Sequence, residues 1–405
     1  MISILFEGWR LLQHSYGNVL AFLLVHLWKQ YGPDKMNKII FYVRECSYHD
    51  INWKNNQKLT YSSEYNRILK NFKTYNGEKV DIIYRQTYPY NLEPPQTLTP
   101  VPVCVFYTSE FAILNNSYFH HDPKQDIRSY LIKNPTFYFT APSEWSSRGM
   151  TSFLEDKTRN RIVSHGVDTS IFYRHSNDSI RRQIRSKYNI LDNDILLINI
   201  GAMTTNKGIF LILESLYHLV IIQKLPFKLL LKGMTDLYKS REFVDAYINH
   251  LGYTTTLKSH IIFIDGTLNY SEINDLFNSA DLYISPYLAE GFGLTMLEAL
   301  ASGLRVLVPR TGSASDYIDP IYKNGGESYI YYVDSVVIRD NAGLYKNQID
   351  KSSIINILSK NICDIKRILD DKTYLLLKKY IKKNYSWYKV STDLYNYFMD
   401  IIVQK

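Results

Sequence analysis

The sequence predicts an α/β protein built from two doubly wound domains, and three observations lead there. The chain has 405 residues, 45% of them hydrophobic and 21% charged, which is too long for one core of ordinary size and too apolar for a disordered chain. Short apolar runs alternate with segments of helical periodicity through both halves. Between the halves, HGVDTSIFYRHSNDS (165–179) gathers turn residues and polar spacing, so a boundary is expected between about 165 and 193. The domains expected are 1–180 and 181–385, with 386–405 as a terminal helix.

In the first half the strand-like runs are Ile2–Phe6, Lys38–Val43, Val80–Tyr84, Val101–Phe106 and Phe137–Thr140, separated by helix candidates at Asn18–Gln30, Tyr61–Asn71 and Glu144–Leu154. In the second half they are Ile195–Ile200, Phe227–Leu231, Ile261–Ile264, Leu282–Ser285 and Arg305–Val308. Helix candidates near Ile209–Ile222, Tyr238–Leu251, Tyr270–Ala280 and Thr295–Ala301 alternate with those strands. Apolar strands joined by crossover helices imply buried parallel sheets. At the end of the chain, Trp387, Val390, Leu394, Tyr397, Phe398 and Ile401 recur at spacings of three and four, so one face of that helix is expected to pack against another element.

Composition narrows the function classes. Cys46, Cys104 and Cys363 lie far apart without metal-ligand spacing, which argues against a disulfide framework or a zinc site and for buried thiols in a reducing compartment. The start, MISILFEGWR, lacks a basic region before its apolar residues and makes a poor signal peptide. The most apolar stretch, 11–28, is interrupted by Gln13, His14, Ser15, Gly17 and Asn18 and is too short to span a membrane. A cytoplasmic location follows as an expectation. The net charge of +8 admits an anionic partner, but basic runs occur only at Arg181–Lys187 and Lys378–Lys383. Nucleic acid is therefore not the expected partner, and a peripheral membrane contact is a candidate.

In open parallel sheets a ligand sits outside the carboxyl ends of the strands, and three loops there stand out. They are EGWRLLQHSYGNV (7–19), with Gly17 just before a helix; GAMTTNKG (201–208); and SPYLAEGFGLTMLEALASG (285–303). In the last, Gly291 and Gly293 let the backbone approach a ligand closely. The helix beginning near Leu294 points unpaired amides at whatever lies there, a setting that suits a phosphate. Glu290 stands before those amides and Glu298 a turn into the helix. Carboxylates accept from hydroxyls, so the pair suits a ligand with hydroxyl-bearing groups on either side of a diphosphate, the layout of a sugar nucleotide. Thr295-Met296-Leu297-Glu298 also reads as a capping box, which would give Glu298 a structural job instead.

EGFGLTMLEALASG (290–303) resembles the E-x7-E motif of retaining GT-B glycosyltransferases of family 4. Further segments follow in that family's order: Gly17, PSEWS (142–146), HGVDTSIF (165–172), GAMTTNKG (201–208), LLKG (230–233), FIDGTL (263–268) and ADLYISPYLAEGFG (280–293). The resemblance is strong over about 140–320 and weak before that. It implies two Rossmann-like domains facing a cleft, the first on the acceptor side and the second binding the nucleotide sugar, with the terminal helix crossing back to the first. It also implies that Glu290 addresses the donor sugar, Glu298 holds the ribose hydroxyls, and Lys207 neutralises the leaving diphosphate. The amides of Phe292, Gly293, Leu294 and Thr295, together with Gly291, Gly266 and Gly17, fall on the donor side. One departure is Ala202, where the family usually has an arginine after the glycine matched by Gly201.

The activity implied is retaining transfer of a hexose from a UDP- or GDP-linked donor to a hydroxyl of a glycan, lipid or protein. It would proceed by front-face substitution without a metal or any other cofactor. Asp192-Asn193-Asp194 precedes a strand and reads as a turn rather than a metal site. Glu110, in the loop after Val101–Phe106, and His14 are acceptor-side candidates, with a capping or surface role as the other reading of His14. His165 is expected to turn the interdomain linker, with Gly166 supplying a positive φ. Two alternatives stay open: a weak or inactive sugar-nucleotide binder, suggested by Ala202, and a GT-B enzyme acting on nucleic acid, suggested by the charge.

Overall fold

The computed structural model describes residues 2–12, 14–33, 35–36, 39–46, 61–95, 97, 100–122, 124–252 and 254–403. Lys38, expected to start the second strand, lies outside them. The chain divides into two compact units, Met1–Gly166 with Tyr385–Lys405, and Val167–Asn384.

In the first unit the strands are β1 (Ile2–Gly8), β2 (Ile39–Glu45), β3 (Lys73–Thr74), β4 (Ile82–Gln86), β5 (Tyr90–Asn91), β6 (Val103–Phe106), β7 (Phe119–His120), β8 (Phe137–Ala141) and β9 (Asn160–Ile162). Seven form one sheet in the order β3-β2-β1-β4-β6-β8-β9, every neighbouring pair parallel. The central strands are buried along nearly their whole length, as uninterrupted apolar runs require in a sheet covered on both faces.

The terminal helix Trp387–Val403 belongs to this unit, where it packs on the first helix, Ser15–Tyr31. Its periodic apolar residues are all buried. The Trp387 ring lies parallel to Phe22 with centroids 5.4 Å apart. Gln30 fixes the register by donating to Ser391 Oγ at 2.6 Å and accepting from Thr392 Oγ1 at 2.8 Å. Gly166 serves this packing rather than a turn: it is not among the residues with positive φ, and a Cβ there would stand 2.8 Å from the Trp387 nitrogen.

The second unit contains β10 (Ile195–Ile200), β11 (Phe227–Lys232), β12 (Ile261–Ile264), β13 (Leu282–Ile284), β14 (Val306–Pro309), β15 (Ile330–Val333), β16 (Ser335–Arg339) and β17 (Tyr345–Ile349). Six make a parallel sheet in the order β12-β11-β10-β13-β14-β15, the doubly wound Rossmann order. β16 and β17 form an antiparallel hairpin absent from the sequence expectation, because its faces are largely exposed and carry little apolar alternation.

The second unit begins at Val167, at the early end of the boundary window of about 165–193 and ahead of residue 181, the expected start of the second domain. The segment 167–180 is anchored there by side chains remote in sequence: Phe172 packs on Phe277 and Tyr270, and His175 pairs with Asp275 at 2.8 Å. The expectation of three buried thiols is also corrected. Cys104 is buried, Cys46 is partly so, and Cys363 is exposed on the short helix Ile362–Lys366.

Candidate active site

β10 and β13 are neighbours from which the second sheet winds away in opposite directions, so their carboxyl ends flank the topological switch point, where doubly wound sheets open a crevice. The loop after β10 closes in the turn Thr205–Lys207. Its Asn206 carbonyl accepts from the N–H groups of Leu288 at 2.7 Å and Ala289 at 3.1 Å, joining it to the loop after β13. Lys207 Nζ thereby reaches Glu290 Oε2 at 2.7 Å. The two side chains keep 22% and 19% of their surface open, so the pair is sheltered yet accessible. Glu290 Oε1 accepts from the Gly291 amide at 3.0 Å.

Gly293 takes φ +90°, a conformation that side chains strain, so glycine suits the point where the helix Leu294–Ala301 starts. Two tyrosines brace the start. Tyr317 donates to the Gly293 carbonyl at 2.9 Å, its ring 4.8 Å from Phe292; Tyr283 lies 3.2 Å from the Ile200 carbonyl and 2.7 Å from Thr295 Oγ1. From below, Asn347 on β17 donates to the carbonyls of Leu288 at 2.7 Å through its amide N–H and of Tyr287 at 3.2 Å through its side chain.

The capping-box reading of Glu298 is corrected. Gly293 is the N-cap residue and carries no side-chain cap; Thr295 already lies inside the helix with its hydroxyl directed to Tyr283. Burial pushes the Glu298 carboxyl up to about 8. When protonated, such a carboxyl can both accept from and donate to hydroxyls.

The structure therefore brings together Lys207, Glu290, Gly291, Phe292, Gly293, Leu294, Thr295 and Glu298 at one sheet edge of the second unit. Gly266 lies in the loop after β12, further along that edge, with φ +78°. The remaining predicted residues belong to the first unit. Gly17 sits in the first turn of the helix Ser15–Tyr31, not in a loop before it. A Cβ on Gly17 would stand 2.1 Å from the Leu12 carbonyl oxygen, which accounts for the glycine without a ligand. His14 caps that helix, its Nδ1 accepting from the Tyr16 amide at 3.3 Å. The Glu110 carbonyl accepts from Trp145 Nε1 at 2.7 Å. His165 is buried against Phe106 and Trp387, and burial lowers its pKa to about 3, making it a neutral core residue.

Residues 180–325 match the family described as Glycosyl transferases group 1. The matched residues lie wholly within the second unit. Among curated proteins, an uncharacterized glycosyltransferase of Methanocaldococcus jannaschii is 24% identical over 45% of this chain and 45% of its own length. The lipopolysaccharide 1,2-N-acetylglucosaminetransferase of Salmonella typhimurium is 27% identical over 39% of this chain and 40% of its own. The match thus spans less than half the length of these curated relatives. A solved structure of Anabaena HepE in complex with UDP and glucose superposes over 99% of this chain and 100% of that one, with TM-score 0.63 and 11% identity. The fold is GT-B, two Rossmann-like domains in one chain, and the sequence matches are to glycosyltransferases.

Lys232, in LLKG (230–233), is marked in the sequence only as a lysine closing an apolar strand before glycine. Asn347 and the two bracing tyrosines are marked by no local pattern.

Proposed function

We propose that this protein transfers a hexose from a UDP- or GDP-linked donor to a hydroxyl acceptor with retention at the anomeric carbon. The observation that carries the reading is the 2.7 Å Lys207–Glu290 pair at the switch point of a Rossmann sheet, with Glu298 on the helix behind it. An ammonium has three N–H donors. Lys207 can therefore stay near Glu290 while binding a diphosphate oxygen as negative charge builds on it. Glu290, so held, faces the sugar hydroxyls, and Glu298 takes those of the ribose.

In the front-face reaction proposed, the acceptor oxygen bonds to the anomeric carbon on the side from which the phosphate oxygen departs. The carbon–oxygen bond to the diphosphate breaks, and the acceptor proton passes to that leaving oxygen. The chain supplies position and charge rather than a nucleophile. Lys207 and the amides at the start of Leu294–Ala301 supply positive charge to the diphosphate, which supports a metal-independent reaction. Glu110 and His14 are proposed to meet the acceptor within the first unit. The binding of UDP and glucose by HepE and the lipopolysaccharide named for the Salmonella relative favour a UDP donor and a glycan acceptor.

The test is a panel of UDP- and GDP-sugars assayed with chelator present. Thermal stabilisation by one of them, with slow release of its sugar to water or acceptor, is the expected result. Stabilisation only with Mg²⁺ or Mn²⁺ would overturn metal independence. Binding with no turnover would leave an inactive binder, the reading Ala202 favours, since one charge-assisted contact to a leaving diphosphate contributes about 10²–10³ in rate.

A further inference from the structure

Lys232 ends β11 with only 7% of its surface exposed, a rare place for a lysine. Its Nζ donates to the Gly233 carbonyl at 2.8 Å and to the Gly266 carbonyl, the latter across 34 positions of sequence. Burial lowers its pKa, and the Asp265 carboxylate works in the opposite direction. Asp265 itself accepts through Oδ1 from the Thr235 amide at 2.9 Å and the Gly266 amide at 2.8 Å. The Gly266 residue is thus gripped at both ends, its N–H by Asp265 and its C=O by Lys232. The loop after β11 is gripped by the same two side chains, at Gly233 and Thr235.

The grip leaves one side of the backbone open. Gly266 is exposed, and a Cβ built on it meets nothing within 4 Å. Lys232 stands between the two loops, paired in register with Ile264 at the end of β12 and with Ile200 at the start of the Gly201–Gly208 loop that carries Lys207. Carbonyl partners do not cancel a charge. Holding a buried ammonium here costs folding free energy, and its persistence at a carboxyl sheet edge points to a task at that edge.

We propose that Lys232 and Asp265 form a clasp that presets the Gly266 backbone as the seat of the donor's base, making Lys232 a positioning residue for nucleotide affinity. This rests on the nucleotide-sugar reading of the same edge. A mobile loop would have to be ordered on binding, and a preset one does not.

The experiment titrates UDP and GDP into full-length wild type, Lys232→Met, Lys232→Arg and Asp265→Asn, alongside melting temperature and amide hydrogen exchange over 264–268. Lys232→Met is expected to weaken nucleotide binding about tenfold, with an unchanged or higher melting temperature and faster exchange at those amides. Lys232→Arg, which keeps the charge and donors, is expected to recover part of the affinity. Unchanged affinity and exchange in Lys232→Met would overturn the clasp. Should that variant fail to fold, Asp265→Asn, at an exposed position, decides by the same readouts. If wild type binds neither nucleotide, the donor reading fails and the base seat falls with it, while the exchange data still decide whether the clasp sets the loop.

Discussion

The carboxyl edges of the two sheets hold ion pairs of opposite character. In the first unit Glu7 on β1 is bound by Arg85 on β4 at 2.5 Å and by Arg44 on β2 at 3.0 Å, with Glu7 and Arg85 only 5% and 4% exposed. In the second unit the Lys207–Glu290 pair spans two loops, and each member keeps about a fifth of its surface open. The first pair satisfies charges already buried, and a ligand would have to break it. The second is accessible and lies where two halves of a sheet diverge. Of these two pairs, accessibility rather than pairing itself marks the one that a ligand could reach without breaking a buried contact.

Four substitutions can break or sharpen that contrast. The largest effect is expected from Arg85→Ala, which strands the Glu7 carboxylate in a buried site. Loss of one partner of such a pair costs about 3–5 kcal/mol, and chemical denaturation should show the loss in the transition of the first unit alone. A melting profile like that of wild type would mean that this pair is no more structural than its counterpart.

Lys207→Ala reverses the pattern. Donor turnover should fall by about 10²–10³, while stability changes by less than about 1 kcal/mol, as for other accessible pairs. A variant that turns over donor as well as wild type would remove Lys207 from the chemistry and leave the two edges alike.

Glu298→Gln probes a titration. The folded-state value near 8 lies above that of an unfolded glutamic acid, so the stabilising share of this group is present below about 4.5 and lost as pH rises through 8. The amide cannot ionise. Glu298→Gln is therefore expected to gain on wild type in melting temperature as pH rises from about 4 to about 9, with weaker nucleotide binding if the carboxyl holds the ribose. A difference in melting that is the same at both pH values would place Glu298 in water.

The smallest effect at neutral pH belongs to His165→Gln. Burial holds the histidine at about 3, below its unfolded value near 6.5, so its contribution is complete above about 6.5 and lost as pH falls toward 3. Wild type should lose stability on acidification through that window, and the variant should lose less. With Glu298 this gives a signature in calorimetry, acid lowering the transition of the first unit and alkali that of the second. A wild-type transition of the first unit that does not move between pH 6.5 and 4 would count against a buried neutral His165.

Much of this protein was set by local sequence. Short apolar runs such as ILLINI (195–200), rich in β-branched residues and alternating with helical periodicity, read as buried strands because they have almost no polar face to give to water. The terminal periodicity from Trp387 to Ile401 marked a helix with one covered face, and the glycines at 291 and 293 marked a strand-to-helix turn. What they could not carry was everything that depends on residues distant in the chain. That Thr295 serves Tyr283 rather than a cap, and that Gly17 and Gly166 are small to admit a carbonyl and a tryptophan, follow from neighbours that local patterns do not reveal. The same holds for Lys232. Its place in LLKG shows a charge at the end of a strand, but only the fold brings the Gly266 carbonyl to it, since the energy of a buried charge is decided by what surrounds it in space.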